Sequence, residues 1–197
     1  MYLTDNERIK LINYIKPRLT EKRFIHTIGT EKMAIRIAEQ CGADVSKAQI
    51  AALLHDSCKC LSDAEKETLI KKYNIGIKNP DGFNVDLIHG YIAAAVVREE
   101  LNINDPDILN AITYHTTGRP GMSTLEKIIY SADVVEENRT YDIADYLRRC
   151  VLDDIDNGTY IIMNNVLRFL LENNQPIYDL TVSAYNSLLK EYKRSEI

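Results

Sequence analysis

Helix-start signals recur along the whole chain and constrain its fold more than any other feature of the sequence. In three places a serine or threonine is followed three residues later by glutamate, the pattern of a capping box, in which both side chains accept hydrogen bonds from backbone amides at a helix start. These pairs are Thr4 with Glu7, Ser62 with Glu65 and Ser123 with Glu126. Asp105 before Pro106 predicts a fourth start, because proline lacks only an amide hydrogen that the first helical turn leaves unpaired.

Apolar periodicity predicts further helices, and nothing in the sequence predicts strands. The chain has 8 glycines and no alternating apolar pattern bounded by hairpin signals. A short buried helix is predicted around residues 50–54, with its apolar run ending at His55. Longer helices are predicted over residues 21–41, 86–101, 106–115, 124–137, 142–151, 154–172 and 177–192. We therefore expect an all-α fold and, at 197 residues, a single domain.

The composition argues against several classes of partner. A formal charge of -5 and a pI near 5.4 provide no basic surface for a nucleic-acid backbone. No apolar run approaches the roughly 18 residues of a membrane span, and the first residues lack a basic segment followed by an apolar one. The four cysteines do not form two C-x-x-C pairs, so we expect thiols. These features predict a cytoplasmic protein that binds neither a nucleic acid polymer nor a membrane.

The segment ALLHDSCKC, residues 52–60, places four candidate metal ligands close together, namely His55, Asp56, Cys58 and Cys60. A structural zinc site needs four ligands, and the C-x-C pair supplies two with no second cysteine pair elsewhere. We therefore interpret neither cysteine as a metal ligand. Two adjacent helical residues such as His55 and Asp56 point about 100° apart, so they hold a metal only if other helices supply further ligands.

Three more histidines and one aspartate are the candidates to complete such a site. His26, His89 and His115 are the only other histidines, and Asp133 lies in the apolar segment KIIYSADVV, where a carboxylate needs a counter-charge or a metal. The residues alone leave open that each histidine is an ordinary helix residue and that Asp133 pairs with an arginine. A mixed nitrogen and oxygen ligand set suits zinc, iron, manganese or cobalt, and with open positions it suits the activation of water for phosphate hydrolysis.

His26, the doublet His55-Asp56 and the distant Asp133 together resemble the metal signature of the HD-domain phosphohydrolases. Longer segments are similar to one branch of that family: RFIHTIGTEKMA, ALLHDSCK, LIHGYIAA, AITYHTTGRPGMSTLEKIIYSADVVEENR and QPIYDLTVSAYN. Over residues 23–186 the chain resembles the symmetrical diadenosine tetraphosphate hydrolases of the YqeK type.

The resemblance implies a helical HD fold and an enzyme that uses one or two divalent transition-metal ions, iron in this family. Such an enzyme cleaves diadenosine tetraphosphate, by metal-activated water, at its centre into two ADP. Carried over by position, the implied metal ligands are His26, His55, Asp56 and Asp133, with His89 and His115 as ligands of a second metal or as phosphate contacts.

The resemblance also implies a nucleotide site, with an HD core at about residues 20–140 and C-terminal helices, 141–197, that complete the pocket. The implied catalytic residues are Asp56, Lys59, His89 and His115. The implied substrate contacts are Arg23, Lys59, Cys60, Leu61, Ser62, His89, His115, Val134, Arg139, Pro176, Ile177, Tyr178 and Asp179. From the residues alone, the alternative stays open that Arg23, Lys59 and Arg139 are solvated or ion-paired surface side chains.

Two alternative functions stay open at this point. One is an HD-type nucleotidase or pyrophosphohydrolase that acts on another nucleotide. The other is a regulator that binds a nucleotide without turnover, against which the complete set of histidines and aspartates argues. The expected partner in either case is a small dinucleoside polyphosphate or ADP, and assembly as a homodimer is compatible with each.

Overall fold

The computed structural model describes residues 2–76 and 87–195, and within these ranges the chain folds into ten α-helices with no β-strand. The helices are α1 (Asp5–Ile15), α2 (Glu21–Cys41), α3 (Val45–Leu54), α4 (Asp63–Lys72), α5 (His89–Leu101), α6 (Pro106–Tyr114), α7 (Thr124–Val135), α8 (Ala144–Asp153), α9 (Ile155–Glu172) and α10 (Asp179–Ser195). A short 3-10 helix, Lys16–Arg18, follows α1. The predicted all-α fold is confirmed.

The helix starts predicted from capping patterns form as expected. Thr4, Ser62 and Ser123 each accept a hydrogen bond from the amide of the glutamate three residues later, and that glutamate accepts one from the amide of the cap. The Asp105 side chain accepts from two backbone amides of α6. All four starts depend on residues within three positions of each other, which is why the sequence alone predicts them.

Several helix boundaries agree with the prediction and others differ for local reasons. Helix α2 has its predicted bounds and ends at Gly42, whose φ of 71° suits a residue without a side chain. Helix α3 is longer than predicted because Asp44 accepts hydrogen bonds from two backbone amides and starts the helix at Val45. The predicted start of α5, residue 86, lies outside the described residues.

The predicted helix 124–137 ends two residues early, at Val135. Glu136 takes an extended backbone, with φ -53° and ψ 160°, and begins a turn that carries Arg139. Helix α8 is displaced by two residues from the predicted 142–151, since it begins at Ala144 and ends at Asp153.

Helix α3 lies at the centre of the fold, and its C-terminal half, residues 50–54, is entirely apolar. It contacts α1, α2, α6 and α7, and all its residues from 51 to 54 are fully buried. Helices α5 and α6 pack on each other, and α6 also packs on α7. The helices that carry the candidate ligands therefore surround the C-terminal end of α3. Among the described residues, no helix is both long and apolar enough to cross a bilayer.

The C-terminal helices attach to this centre through α2 and α7, and α7 contacts both α8 and α9. Helix α9 packs on α7, α8 and α10, and α8 also contacts α2. Helices α2 and α7 each carry a candidate metal ligand. The division into an HD core and C-terminal helices that complete the nucleotide pocket stays a prediction.

Candidate metal centre

His55 and Asp56 lie where α3 ends, and both side chains are buried. The His55 ring is fully buried, and its Nδ1 lies 2.6 Å from the Ala52 carbonyl oxygen. A carbonyl only accepts hydrogen bonds, so the proton lies on Nδ1 and the lone pair lies on Nε2. That Nε2 is buried and has no hydrogen-bond partner among the described residues.

His115 repeats this construction at the end of α6. Its Nδ1 lies 2.7 Å from the Ile112 carbonyl oxygen, again three residues earlier in the chain. Its Nε2 lies 2.9 Å from Nε2 of His89, the first residue of α5. Both rings are buried. The end of one helix and the start of another thus direct two imidazole nitrogens at the same place.

His26 and Asp133 approach from α2 and α7. Nε2 of His26 lies 2.8 Å from Oδ1 of Asp133, yet the pair lacks hydrogen-bond geometry and this nitrogen has no other hydrogen-bond partner among residues 2–76 and 87–195. The other ring nitrogen, Nδ1, lies 3.2 Å from Oε1 of Glu136. Two electron-pair donors that meet without a hydrogen bond are typical of atoms that share a cation.

Asp56 stands between the two groups of histidines. Its Oδ2 lies 3.4 Å from Nε2 of His55 and 3.8 Å from Nε2 of His26. Its Oδ1 lies 3.0 Å from Nε2 of His89 and 3.7 Å from Nε2 of His115. One carboxylate therefore offers a separate oxygen to each group.

Electrostatics keep the carboxylates of the cluster ionised. Burial would raise the pKa of Asp56, but the contacts with His55, His115 and His89 hold it well below its usual range. Burial likewise opposes ionisation of Asp133, and His26 and His55 lower its pKa. Burial lowers the pKa of His89 to about 4, so near neutral pH its imidazole is uncharged. A neutral ring suits a metal ligand.

The donor set fits a divalent transition metal. Three overlapping groups bring their ligand atoms within 4.8 Å of one another: His26, His55 and Asp56; His55, His115 and Asp133; Asp56, His89 and His115. Buried polar atoms seldom lack partners, but within the described part of the chain the Nε2 atoms of His26 and His55 have none, so a cation at the centre would satisfy both. Imidazole and carboxylate ligands together select transition metals over calcium.

A cavity of about 640 Å³ opens beside the cluster. Its lining includes His26 from the cluster, Glu136 beside it, and four residues predicted to contact substrate: Arg23, Lys59, Cys60 and Arg139. Arg23 donates a hydrogen bond to Oδ2 of Asp56, and Arg139 donates to the backbone oxygen of Asp133. These two cationic side chains therefore line the cavity and also contact carboxylate residues of the cluster.

The other predicted substrate contacts do not line this cavity. Leu61 lines a separate cavity of about 410 Å³, and the Ser62 side chain is engaged with Glu65 at the start of α4. Val134 is half-buried, and its carbonyl accepts from Tyr141. The segment 176–179 precedes and begins α10. Their roles toward a nucleotide stay predictions.

Sequence reasoning missed two residues that shape the site, Glu136 and Arg148. Glu136 is buried beside His26, and Arg148 donates to the carbonyls of Val135, Glu136 and Arg139. In the sequence, Glu136 stands out only because it follows the apolar residues of α7. Glu137, the next residue, is also a glutamate, so the sequence does not show which of the two enters the site.

Comparisons with known proteins agree with this geometry. A family model described as the HD domain matches residues 23–149. The chain is 42% identical, over 94% of its length and 99% of the relative's, to the symmetrical bis(5'-nucleosyl)-tetraphosphatase of Halalkalibacterium halodurans. It is 40% identical to the Bacillus subtilis protein of the same name, over 89% of this chain and 94% of that one.

A solved structure shares the fold over nearly all of the chain. It is a crystal structure from Clostridium acetobutylicum described as a predicted HD superfamily hydrolase involved in NAD metabolism. The two superpose with a TM-score of 0.86 at 33% sequence identity, covering 97% of this chain and 100% of the other. The chain therefore belongs to the HD-domain family and, within it, to the family of the symmetrical bis(5'-nucleosyl)-tetraphosphatases.

Proposed function

We propose that this protein is a metal-dependent hydrolase that cleaves diadenosine tetraphosphate symmetrically into two ADP. The observation that carries the proposal is the position of Asp56, whose two oxygens face two different groups of buried histidines. Hydrolysis of a phosphoanhydride needs charge neutralisation on phosphate oxygens and an activated water, and a site with one or two divalent cations provides both. The names of the relatives supply the class of substrate, a bis(5'-nucleosyl) tetraphosphate cleaved symmetrically, and the family resemblance supplies the adenine bases.

The first cation would be held by His26, His55, Asp56 and Asp133, and a second would be held by Asp56, His89 and His115. Iron is the proposed metal, since imidazole and carboxylate ligands accept it and the family resemblance implies it. A bound divalent cation supplies Lewis acidity, which lowers the pKa of coordinated water and neutralises phosphate charge.

The protein's own cations would bind the polyphosphate chain. Arg23, Lys59 and Arg139 line the cavity next to His26. A guanidinium can bind two phosphate oxygens at once, whereas the Lys59 ammonium acts as a point charge. The three side chains would hold the substrate anion so that its reacting phosphorus lies at the cluster, which lowers the entropic cost of the reaction.

The cytoplasmic location, the homodimer and the role of helices α8–α10 in the nucleotide pocket remain predictions attached to this proposal. The predicted contacts at Cys60, Leu61, Ser62, Val134 and residues 176–179 belong to it as well. A structure with bound ADP would test all of these contacts at once.

Product analysis tests the function. Purified protein supplied with Fe²⁺ under anaerobic conditions, or with Mn²⁺ or Co²⁺, should convert diadenosine tetraphosphate to ADP alone. The variants His55→Ala and Asp56→Ala should lose bound metal, measured by elemental analysis, together with hydrolysis. Release of ATP and AMP would contradict the symmetrical cleavage, and full metal content and activity in both variants would contradict the site.

A panel of nucleotides distinguishes the remaining alternatives. Faster turnover of a mononucleotide or of another dinucleoside polyphosphate would assign a different HD phosphohydrolase activity. If the protein binds ADP or diadenosine tetraphosphate but hydrolyses no nucleotide with Fe²⁺, Mn²⁺ or Co²⁺, it would be a nucleotide-binding regulator.

A further inference from the structure

We infer that Glu136 is a positioning residue that presents His26 to the cation, and that Gly29 leaves the space this contact requires. The inference rests on the proposed function, because it takes His26 to be a metal ligand. Glu136 is buried, with 2% of its surface exposed, at the point where α7 ends and the turn toward Arg139 begins.

The contact between Glu136 and His26 sets which ring nitrogen carries the proton. Oε1 of Glu136 lies 3.2 Å from Nδ1 of His26, and a carboxylate oxygen accepts a hydrogen bond from that nitrogen. With the proton on Nδ1, Nε2 presents its lone pair toward Asp133 and Asp56, where the cation would lie.

For His55 and His115, a backbone carbonyl takes the place that Glu136 has beside His26. His55 and His115 lie where helices end, and each turns its Nδ1 to a carbonyl three residues earlier. His26 lies inside α2, where the nearby carbonyls already accept helical hydrogen bonds, and Thr30 also donates to the His26 carbonyl. His26 therefore depends on a side chain from another element, and Glu136 supplies it.

The second oxygen of Glu136 is fixed by its own turn. Oε2 accepts a hydrogen bond from the backbone amide of Asn138 at 2.7 Å and another from the Asn138 side chain at 2.8 Å. Both donors hold this oxygen, so Oε1 stays directed at His26. The carboxylate is thus oriented before any cation binds.

Gly29 makes room for this carboxylate. It lies three residues after His26 on α2, so it faces the same side of the helix. A Cβ added at Gly29 would overlap Oε2 of Glu136 and would lie 2.8 Å from Nδ2 of Asn138. Any larger residue would push the carboxylate away from His26.

Replacing Glu136 by glutamine is a sharp test because it keeps the size of the side chain and reverses the hydrogen bond. The two Asn138 donors require an oxygen, so the glutamine oxygen takes the place of Oε2. The amide nitrogen then faces Nδ1 of His26 and donates to it, which moves the ring proton to Nε2. The atom that should bind the cation would be blocked.

The experiment measures Zn²⁺ affinity by competition with a chromophoric chelator. Glu136→Gln and Glu136→Ala should each bind Zn²⁺ about 10- to 100-fold more weakly than the wild type, the range for loss of a ligand's outer partner. The control Glu137→Gln, at an exposed residue of the same turn that pairs with Arg36, should bind like the wild type. Equal affinity in all four proteins would overturn the inference.

Nitrogen-15 NMR of the Zn²⁺ complex adds a readout that a merely structural role would not move. In the wild type, His26 should be protonated at Nδ1 and bound through Nε2, and Glu136→Gln should lose that pattern. Zn²⁺ bound through Nδ1 in the wild type would overturn the inference without any variant. Zn²⁺ bound elsewhere, with His26 unligated, would instead contradict the proposed metal site.

A double-mutant cycle tests Gly29. Gly29→Ala alone should weaken Zn²⁺ binding about as much as Glu136→Ala, within the same 10- to 100-fold range. In the Glu136→Ala background, Gly29→Ala should cause no further loss, because the carboxylate that it displaces is gone. Equal and additive losses in the two backgrounds would show that Gly29 acts independently of Glu136 and would overturn its role.

Discussion

Nη1 of Arg23 lies 2.8 Å from Oδ2 of Asp56, the oxygen that also faces His26 and His55. The guanidinium therefore occupies a position next to the carboxylate oxygen that a cation would use. Arg23 is partly exposed and also lines the neighbouring cavity, so it can contact either Asp56 or a bound phosphate. We therefore expect that removing the charge of Arg23 strengthens cation binding and weakens substrate binding.

Arg23→Gln should bind a divalent cation about two- to fivefold more tightly, because a competing charge worth up to about 1 kcal/mol is removed. The same variant should raise KM for diadenosine tetraphosphate by about tenfold, the effect of one lost charge-assisted hydrogen bond. Metal titration and steady-state kinetics measure the two effects. Lys22→Gln, which removes an equal charge from the rim of the same cavity, is the control and should leave cation affinity unchanged. Weaker cation binding in Arg23→Gln would mean that Arg23 orients Asp56 instead of competing with the cation.

Gly90 lets α5 approach α6 closely enough to bring His89 to His115. A Cβ at Gly90 would lie 2.6 Å from the Thr113 carbonyl oxygen, 2.7 Å from that of Ile112 and 3.3 Å from the His115 ring. Gly90→Ala should therefore separate the two helices, lower the free energy of unfolding by about 1–3 kcal/mol through overpacking, and reduce cation binding. Urea denaturation and metal titration test both effects.

Gly158→Ala is the matched control for Gly90→Ala. Its Cβ would overlap the Val151 backbone where α9 meets α8, and would lie 2.7 Å from the Cys150 carbonyl oxygen. The control should lose a similar amount of stability and keep cation binding. Equal loss of binding in both variants would show that global destabilisation, and not the His89–His115 geometry, causes the effect.

The contrast between helix starts and the end of α7 shows what sequence reasoning can reach. Ser123 caps α7 through a residue three positions away, so a local pattern predicts the start. The end at Val135 depends on Arg148, whose side chain donates to the carbonyls of Val135, the last residue of α7, and of Glu136, the residue after it. Arg148 lies thirteen residues away in another helix, so no local sequence pattern reveals this contact. The prediction from apolar periodicity alone therefore placed the end of α7 two residues too late.

The site shows the same limit at the level of single side chains. Residue type and family resemblance selected His55 and Asp56, but only the packing of five helices shows which oxygen of Asp56 faces which histidines. Glu136 and Glu137 are adjacent residues of the same type, so the sequence does not distinguish them. One is buried beside His26 and the other is exposed beside Arg36, and this difference depends on tertiary contacts.

Asp105 should make stability depend on pH in acid. The hydrogen bond with Lys47, with further bonds from backbone amides at the start of α6, lowers the pKa of Asp105. A carboxyl whose pKa is lower in the folded state stabilises the protein above its unfolded pKa, about 3.9, and this contribution is lost as the pH falls through the folded value.

Asp105→Asn keeps a capping side chain and removes the charge. At pH 6 the variant should be less stable than the wild type by about 0.5 kcal/mol, as expected for a partly exposed ion pair. The difference should shrink as the pH is lowered from 5 to 3, measured by urea denaturation of both proteins. A difference that stays constant over this range would exclude the Asp105 charge as its source.

Arg148 holds the turn that carries Arg139. Its Nε donates to the Val135 carbonyl at 2.7 Å and its Nη2 to the Glu136 carbonyl at 2.8 Å, and Nη2 also donates to the Arg139 carbonyl. Arg148→Ala should lower the free energy of unfolding by about 2–3 kcal/mol, because half-buried acceptors lose a charged donor. It should also raise KM for diadenosine tetraphosphate, since the turn no longer fixes Arg139.

Two further variants give this prediction its specificity. Arg148→Lys should recover little of the lost stability, because one ammonium cannot match a planar guanidinium that reaches three carbonyls. Arg149→Ala, at the exposed neighbouring residue, should change the free energy of unfolding by less than about 0.5 kcal/mol. If Arg148→Lys had the wild-type free energy of unfolding and the wild-type KM, the positive charge alone would stabilise the turn and the directed hydrogen bonds would not be needed.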